Sequence, residues 1–358
     1  MLYHWIISLP MMLCFFWSIF FFIRCLAGRN NLRIKVSILV FFIAVTVLYT
    51  DHWLYFSEEG NAIGLWTYLI ANLSVYPLYY MYLRALTHAK KSIETPLLFI
   101  PAAIIALLFP LNGHFEWFGE GLLMLFVRIC FAAEVIWVWW RGYLLLQQTR
   151  ARMDDTYSDD RSYLLRPTYI IQHLLGLTAA ISMLLNVLGR DFFTESMLVC
   201  IPAVVMTALL YAIGYVAAHT TLPQETVEAD SSTYQPPSRE DSSALMERID
   251  RLMREQHLFT NSGLTIVDVA TAAGSNRTYV SRAINRSYSI SFSQYIARQR
   301  VLYAQMVLAD ARYKTDKEAI ADAIALSGFA SEQSFYRLFK EQTGTTPLQF
   351  RKQSVMNG

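Results

Sequence analysis

Two stretches near the C-terminus carry side chains suited to reading the edge of a nucleic-acid duplex. Asn276 to Arg286 runs NRTYVSRAINR, and Ser331 to Gln342 runs SEQSFYRLFKEQ; each is a helix-compatible segment with a polar, basic outer face. Arginine can fork to guanine, glutamine to adenine, and glutamate can accept from the amino group of cytosine. Other chemistries find no support. No nucleophile–base signature, HExxH, Walker loop or pair of acids stands in the chain, so an enzyme and a cofactor are not expected. Cys14, Cys25, Cys130 and Cys200 fall in or beside apolar runs without a CxxC spacing, which suits buried thiols rather than disulfides or zinc. His4, Asp51, His52 and His114 fall toward one predicted surface, but no two lie three or four apart on a helix. No metal site is expected.

The elements that must present the two basic stretches can be read from the residues before them. Ile266, Val269 and Ala270 share one face of a short helix and Gly274 makes a turn ahead of the first stretch. Ile320, Ala321 and Ile324, then Ser327, Gly328 and Phe329, repeat the arrangement ahead of the second. Apolar inner faces, a tight turn eased by glycine and a second helix free to enter a groove define a helix-turn-helix. Periodicity assigns Val280, Ile284, Phe335, Leu338 and Phe339 to the core. Ser243 to Leu258 forms a flanking helix with Leu245, Ile249, Leu252 and Met253 on one stripe. Between the two units, Phe292 to Asp310 reads as one helix of about 30 Å. Successive major grooves on one face of DNA are about 34 Å apart, so a rigid spacer of this length lets one chain read adjacent grooves.

The particular residues go further than the pattern. FSQYIARQRVLYAQMVL (Phe292 to Leu308) and IADAIALSGFASEQSFYRLFKEQTGTTPLQFR (Ile320 to Arg351) closely resemble the DNA-binding domain of the AraC/XylS family of bacterial transcription regulators. The likeness covers residues of about 245–352. Ser289 departs from it, standing where the family usually has glycine. The resemblance implies that Thr278, Ser281 and Arg282 on the first recognition helix, and Glu332, Gln333 and Arg337 on the second, face base edges. Asn276, Arg277, Arg286, Ser331, Lys340 and Arg351 would then contact phosphates or cap helices.

The rest of the chain is of another kind. With 54% apolar, 14% aromatic and only 16% charged residues, the composition is too apolar for an ordinary soluble protein. Seven apolar segments can each cross a hydrocarbon core of about 30 Å: Leu2–Ile23, Val36–Leu54, Ile63–Leu83, Thr95–Leu111, Gly121–Trp140, Pro167–Leu188 and Ser196–Ala218. The connections after the odd-numbered spans hold twelve basic residues, from Arg24 to Arg166, against Arg190 alone on the other side. The positive-inside rule therefore puts the N-terminus outside and the C-terminal domain in the cytoplasm. Arg128 and Glu134 lie within the fifth span, where ionisable groups should face the bundle interior, and are candidates for sensing a signal. Tyr76, Tyr79, Tyr80 and Tyr82 around Pro77 read more readily as a lipid-facing or interfacial stripe than as the lining of an amphiphile pocket. No lysine lies inside a span, which excludes a retinal Schiff base. The loop from Arg141 to Arg166, containing DDTYSDDR, is longer than its neighbours and could touch the soluble domain, though a solvated charged loop is the default reading.

The expected fold is all-α: a seven-helix transmembrane domain (1–219), a disordered acidic, Pro- and Ser-rich linker (220–243) and an AraC-like double helix-turn-helix domain (244–358). About 22 flexible residues give the linker an end-to-end distance on the order of 25 Å. The expected partners are double-stranded DNA, the lipid bilayer and a membrane or small-molecule signal; a homodimer stays open. The expected location is the bacterial inner membrane. Three readings of the bundle fit: a sensor that controls the DNA reader, a transporter or enzyme, or a passive anchor from which proteolysis frees the reader.

Overall fold

A computed structural model of the chain describes residues 2–28, 30–56, 65–90, 92–115, 120–159, 161–188, 200–220, 222 and 239–357. The described residues are helical, with a single isolated bridge between Tyr157 and Thr265 in place of any strand. The chain divides into two compact units, residues 1–147 with 164–224, and residues 148–163 with 225–358.

The first unit holds α1 (Leu2–Leu26), α2 (Leu32–Phe56), α3 (Leu65–Leu86), the short α4 (Glu94–Leu97), α5 (Ile100–Phe115), most of α6 (Glu120–Thr156), α7 (Arg166–Leu188) and α8 (Cys200–His219). Every one of the seven predicted segments contains helix, but only four helices among the described residues are long and apolar enough to cross a membrane: His4–Leu26, Leu32–Leu54, Leu125–Thr156 and Cys200–His219. The other segments fall short for visible reasons. Tyrosines, Asn72 and Arg84 dilute α3, and the chain breaks between α4 and α5 in the proline-punctuated segment.

Inside this unit α1 packs on α2 and α8, α2 on α3, α3 on α5, and α7 on α8. Trp17 sits at the centre of the α1 contacts, stacked on Phe21 at 5.7 Å and on Phe42 at 6.1 Å. Gly214 of α8 lies against the Trp17 indole, and Gly176 of α7 against Trp139, so a side chain at either glycine would displace the ring. Small residues that let helices approach closely are a packing device of apolar bundles. The helix ends are tied by basic residues: Arg24 donates to the Ala218 carbonyl at 2.9 Å, Arg84 to the Lys90 carbonyl, and Arg141 pairs with Glu94 at 2.6 Å. Tyr76, Tyr79, Tyr80 and Tyr82 are all buried, which corrects the lipid-facing expectation; Tyr76 meets Phe131 and Tyr80 meets Trp137 edge-on.

The second unit contains α9 (Arg239–Gln256), α10 (Ile266–Ala272), α11 (Arg277–Tyr288), α12 (Phe292–Ala309), α13 (Asp316–Leu326), α14 (Glu332–Thr343) and α15 (Pro347–Asn357). The flanking helix α9 begins four residues earlier than predicted, inside the expected linker; residues 223–238 of that linker lie outside the described residues. Two cores form along α12. Phe292, Tyr295 and Ile296 join α9, α10 and α11, while Val301, Ala304 and Leu308 join α13, α14 and α15. At 18 residues, α12 is about 27 Å long.

Candidate nucleic-acid interface

Each half of the second unit is a helix-turn-helix built the same way. In the first, Thr265 caps α10 through a capping box with Asp268, Gly274 turns the chain at φ +60°, and Asn276 caps α11 by accepting the Tyr279 N–H at 3.0 Å. In the second, Thr315 caps α13, Gly328 turns at φ +75°, and Ser331 caps α14 by accepting the Ser334 N–H at 3.2 Å. Asn276 and Ser331 are thus equivalent N-caps, one to each recognition helix. Val280 and Ile284, like Phe335 and Phe339, are fully buried, and Leu338 packs half-buried beside the last pair. Ala321 is exposed, contrary to the expected seam; Ala319 and Ala323 line it instead, with Ile320 and Ile324 half-buried.

Burying one face of each recognition helix leaves the opposite face to solvent. On α11, Thr278, Arg282 and Arg286 are exposed, and Arg277 and Ser281 are half-buried. On α14, Glu332, Gln333, Arg337 and Lys340 are exposed; Arg337 lies 3.5 Å from Glu341 one turn on, a rim pair of little strength. The arrangement therefore leaves on the outer face of each of these helices an exposed arginine and polar groups, with further basic groups alongside. Ser289 ends α11 in the left-handed region at φ +57°, where the resembled family usually has glycine, and Gly344 ends α14 at φ +75°.

Several residues that hold the halves escape sequence reasoning. Arg300, only 2% exposed, donates from the middle of α12 to the carbonyls of Phe259 and Asn261, each at 2.8 Å. Burial pulls its pKa down to about 10. Gly328 abuts the same turn: a Cβ there would lie within 2.6 Å of the Phe259 carbonyl oxygen. Residues 258–261 are thus the keystone between the two readers. On the first half, Asp250 accepts from the hydroxyls of Tyr295 at 2.6 Å and Tyr288 at 3.0 Å, and Arg248 donates to the Ala273 carbonyl at 2.8 Å. Burial, with the Asp250 carboxylate beside them, raises both tyrosine pKa values. On the second half, Arg351 is buried and donates to the carbonyls of Leu308, Asp310 and Tyr313 at 2.7, 2.8 and 3.0 Å; it closes the end of α12 rather than facing a phosphate. An arginine on the apolar stripe of a helix is the one sequence signal that marks Arg300.

The two candidate sensing residues of the first unit part company. Arg128 is exposed on that unit, against the expectation that it faces inward. Glu134 is 5% exposed, and neither carboxylate oxygen has a hydrogen-bond partner. Among the described residues no three metal-ligating side chains converge.

Comparison with known proteins bears on the second unit alone. Residues 269–353 match a family model described as a helix-turn-helix domain. The melibiose operon regulatory protein of Escherichia coli K12 is 34% identical over 94 residues, which are 26% of this chain and 30% of that protein. The "Probable transcription factor PqrA" of Proteus vulgaris is 28% identical over 102 residues, 28% of this chain and 80% of that protein. The Msm operon regulatory protein of Streptococcus mutans is 25% identical over 120 residues, 34% of this chain and 40% of that protein. This chain thus spans less than a third of the melibiose regulator's length. No solved structure matches. The C-terminal part is a helix-turn-helix domain similar to bacterial regulators of the AraC type.

Proposed function

We propose that the chain is a membrane-embedded, one-component transcription regulator, in which a cytoplasmic double helix-turn-helix reads DNA under the control of a signal received by the helices of the first unit. The observation that carries the reading is the pair of recognition helices. Both are capped alike, buried on one face and exposed at Arg282 and Arg337, and both are mounted on one spacer of about 27 Å. The names of the relatives, two of them operon regulatory proteins, support regulation by DNA binding. The four long apolar helices of the first unit support residence in a membrane, and the basic residues on one set of connections support a cytoplasmic reader. Glu134, buried and without a hydrogen-bond partner, is the residue best placed to feel a signal in the bundle. Any signal must favour one state of the bundle over another to alter the reader.

Genome-wide DNA occupancy of the membrane-extracted, full-length protein tests the reading, beside the same protein with Arg282→Ala and Arg337→Ala together. Discrete sites that vanish in the double variant are expected. Discrete sites only for a freed C-terminal fragment would replace control by the bundle with proteolytic release, and no sites in either would remove DNA reading.

A further inference from the structure

The keystone turn has a second occupant. Residues 148–163, which include the last turns of α6 and the segment after it, belong to the same compact unit as the readers. Tyr157 and Thr265 form the isolated antiparallel bridge, and the Ser158 N–H donates to the Leu264 carbonyl at 3.1 Å. Arg300 completes the attachment, donating to the Ser158 carbonyl at 3.2 Å and to its Oγ at 3.0 Å. One buried guanidinium therefore grips the keystone turn with part of its donor fork and the 157–159 segment with the rest. Ser158 is 3% exposed, so the attachment excludes water from these bonds. The segment is stiffened from within: Arg161 pairs with Asp159 at 3.0 Å and lies over the Tyr157 ring at 4.0 Å.

What the segment brings with it is negative charge. From Asp154 to Asp160 the chain carries four aspartates and no base. Asp155 lies close enough to Arg277 for the two charges to interact. Arg277 is the first residue of the recognition helix α11, beside the Asn276 cap. A helix N-terminus with an arginine is where a DNA phosphate would sit.

We propose that residues 154–159 are an intramolecular docking strap, seated on the Leu264–Thr265 edge and anchored by Arg300, in which Asp155 holds the place of a DNA phosphate at the start of the first recognition helix. Docking and DNA binding then exclude one another. Because α6 runs on from the first unit into the strap, a displacement of that helix is a direct means of freeing or seating it. This inference rests on the DNA-reading function proposed above.

The test uses full-length protein in detergent micelles, with Asp155→Asn combined with Ser158→Ala, and mixed-sequence duplex DNA at low salt. Anisotropy gives the affinity, and hydrogen exchange follows the Ser158 amide or its alanine counterpart. If the undocked state is about a tenth of the wild-type population, releasing the strap tightens DNA binding roughly tenfold. Exchange at position 158 should quicken in the variant, and adding DNA to the wild type should quicken it too, since coupling between two binding events is reciprocal. Faster exchange in the variant with unchanged or weaker DNA binding would overturn the proposal, as would a Ser158 amide unprotected in the wild type. DNA binding by neither protein, with the Ser158 amide protected in the wild type, would instead sink the DNA-reading function and the exclusion built on it, leaving the docking as a structural tie.

Discussion

The two helix-turn-helix halves share a local plan and differ in how they are mounted. Each has a threonine-capped first helix, a glycine turn at positive φ, a capped recognition helix and a left-handed residue at its end. The first half is held from the N-terminal side, by α9 through Asp250 and Arg248 and by the strap. The second is held from the C-terminal side, by Arg351, and by the approach of Gly328 to the keystone turn. Short-range sequence sets the shape of a reading unit, and single long-range residues set where that unit points.

The largest break in this symmetry should come at the two turn glycines. Gly328→Ala forces a positive φ and drives a Cβ into the Phe259–Thr260 backbone, for an expected loss of about 3 kcal/mol or more in the stability of the reader. At Gly274 the nearest atom to a Cβ is Arg248 Nη1 at 3.8 Å, so only the backbone term remains, about 1 kcal/mol. Denaturant unfolding of the two variants, followed by hydrogen exchange in α11 and α14, reads the difference; equal losses would remove the keystone argument.

The mounting residues come next. Arg351→Leu leaves the Leu308, Asp310 and Tyr313 carbonyls without their donor and should cost about 2–3 kcal/mol, felt in the second core. Asp250→Asn keeps the shape but weakens the charge-assisted bonds from Tyr288 and Tyr295, for about 1 kcal/mol felt in the first. Amide exchange localises each loss, and spreading of either through both halves would contradict their separate mounting.

Ser289→Gly relieves a left-handed serine at the end of α11 and should stabilise by about 1 kcal/mol, read as a higher unfolding midpoint. The smallest contrast is between Asn276→Ala and Ser331→Ala. Each removes one N-cap bond, so each should cost about 1 kcal/mol, the two differing by a few tenths. A cap worth far more on one helix would mean the two units are not locally equivalent.

This division also explains what could be read before the fold was known. Caps, turn glycines and the buried faces of α11 and α14 follow from spacing within a dozen residues, so Val280, Ile284, Phe335 and Phe339 are where periodicity puts them. The seam of α13 rotated from Ala321 to Ala319 and Ala323, because alanines on every side of a short helix leave its phase open. Arg351 reads in sequence as a phosphate contact or a helix cap, and its burial depends on three carbonyls some forty residues away. Arg300 is marked only by its place on an apolar stripe, and nothing local pairs it with Ser158, 142 residues away. In the first unit, seven apolar runs were legible as helices, yet tyrosines that look lipid-facing by composition are buried, since an apolar run has no solvent to tell its inner face from its outer.

A base-resolved footprint of the full-length protein on a site from the occupancy experiment tests the central claim most directly, with Arg282→Ala and Arg337→Ala measured singly. Two protected major-groove segments about one helical turn apart on one face of the DNA are predicted, one weakened by each substitution. A single protected segment, or loss of both segments together from either substitution, would contradict a chain that reads adjacent grooves with two separately mounted helices.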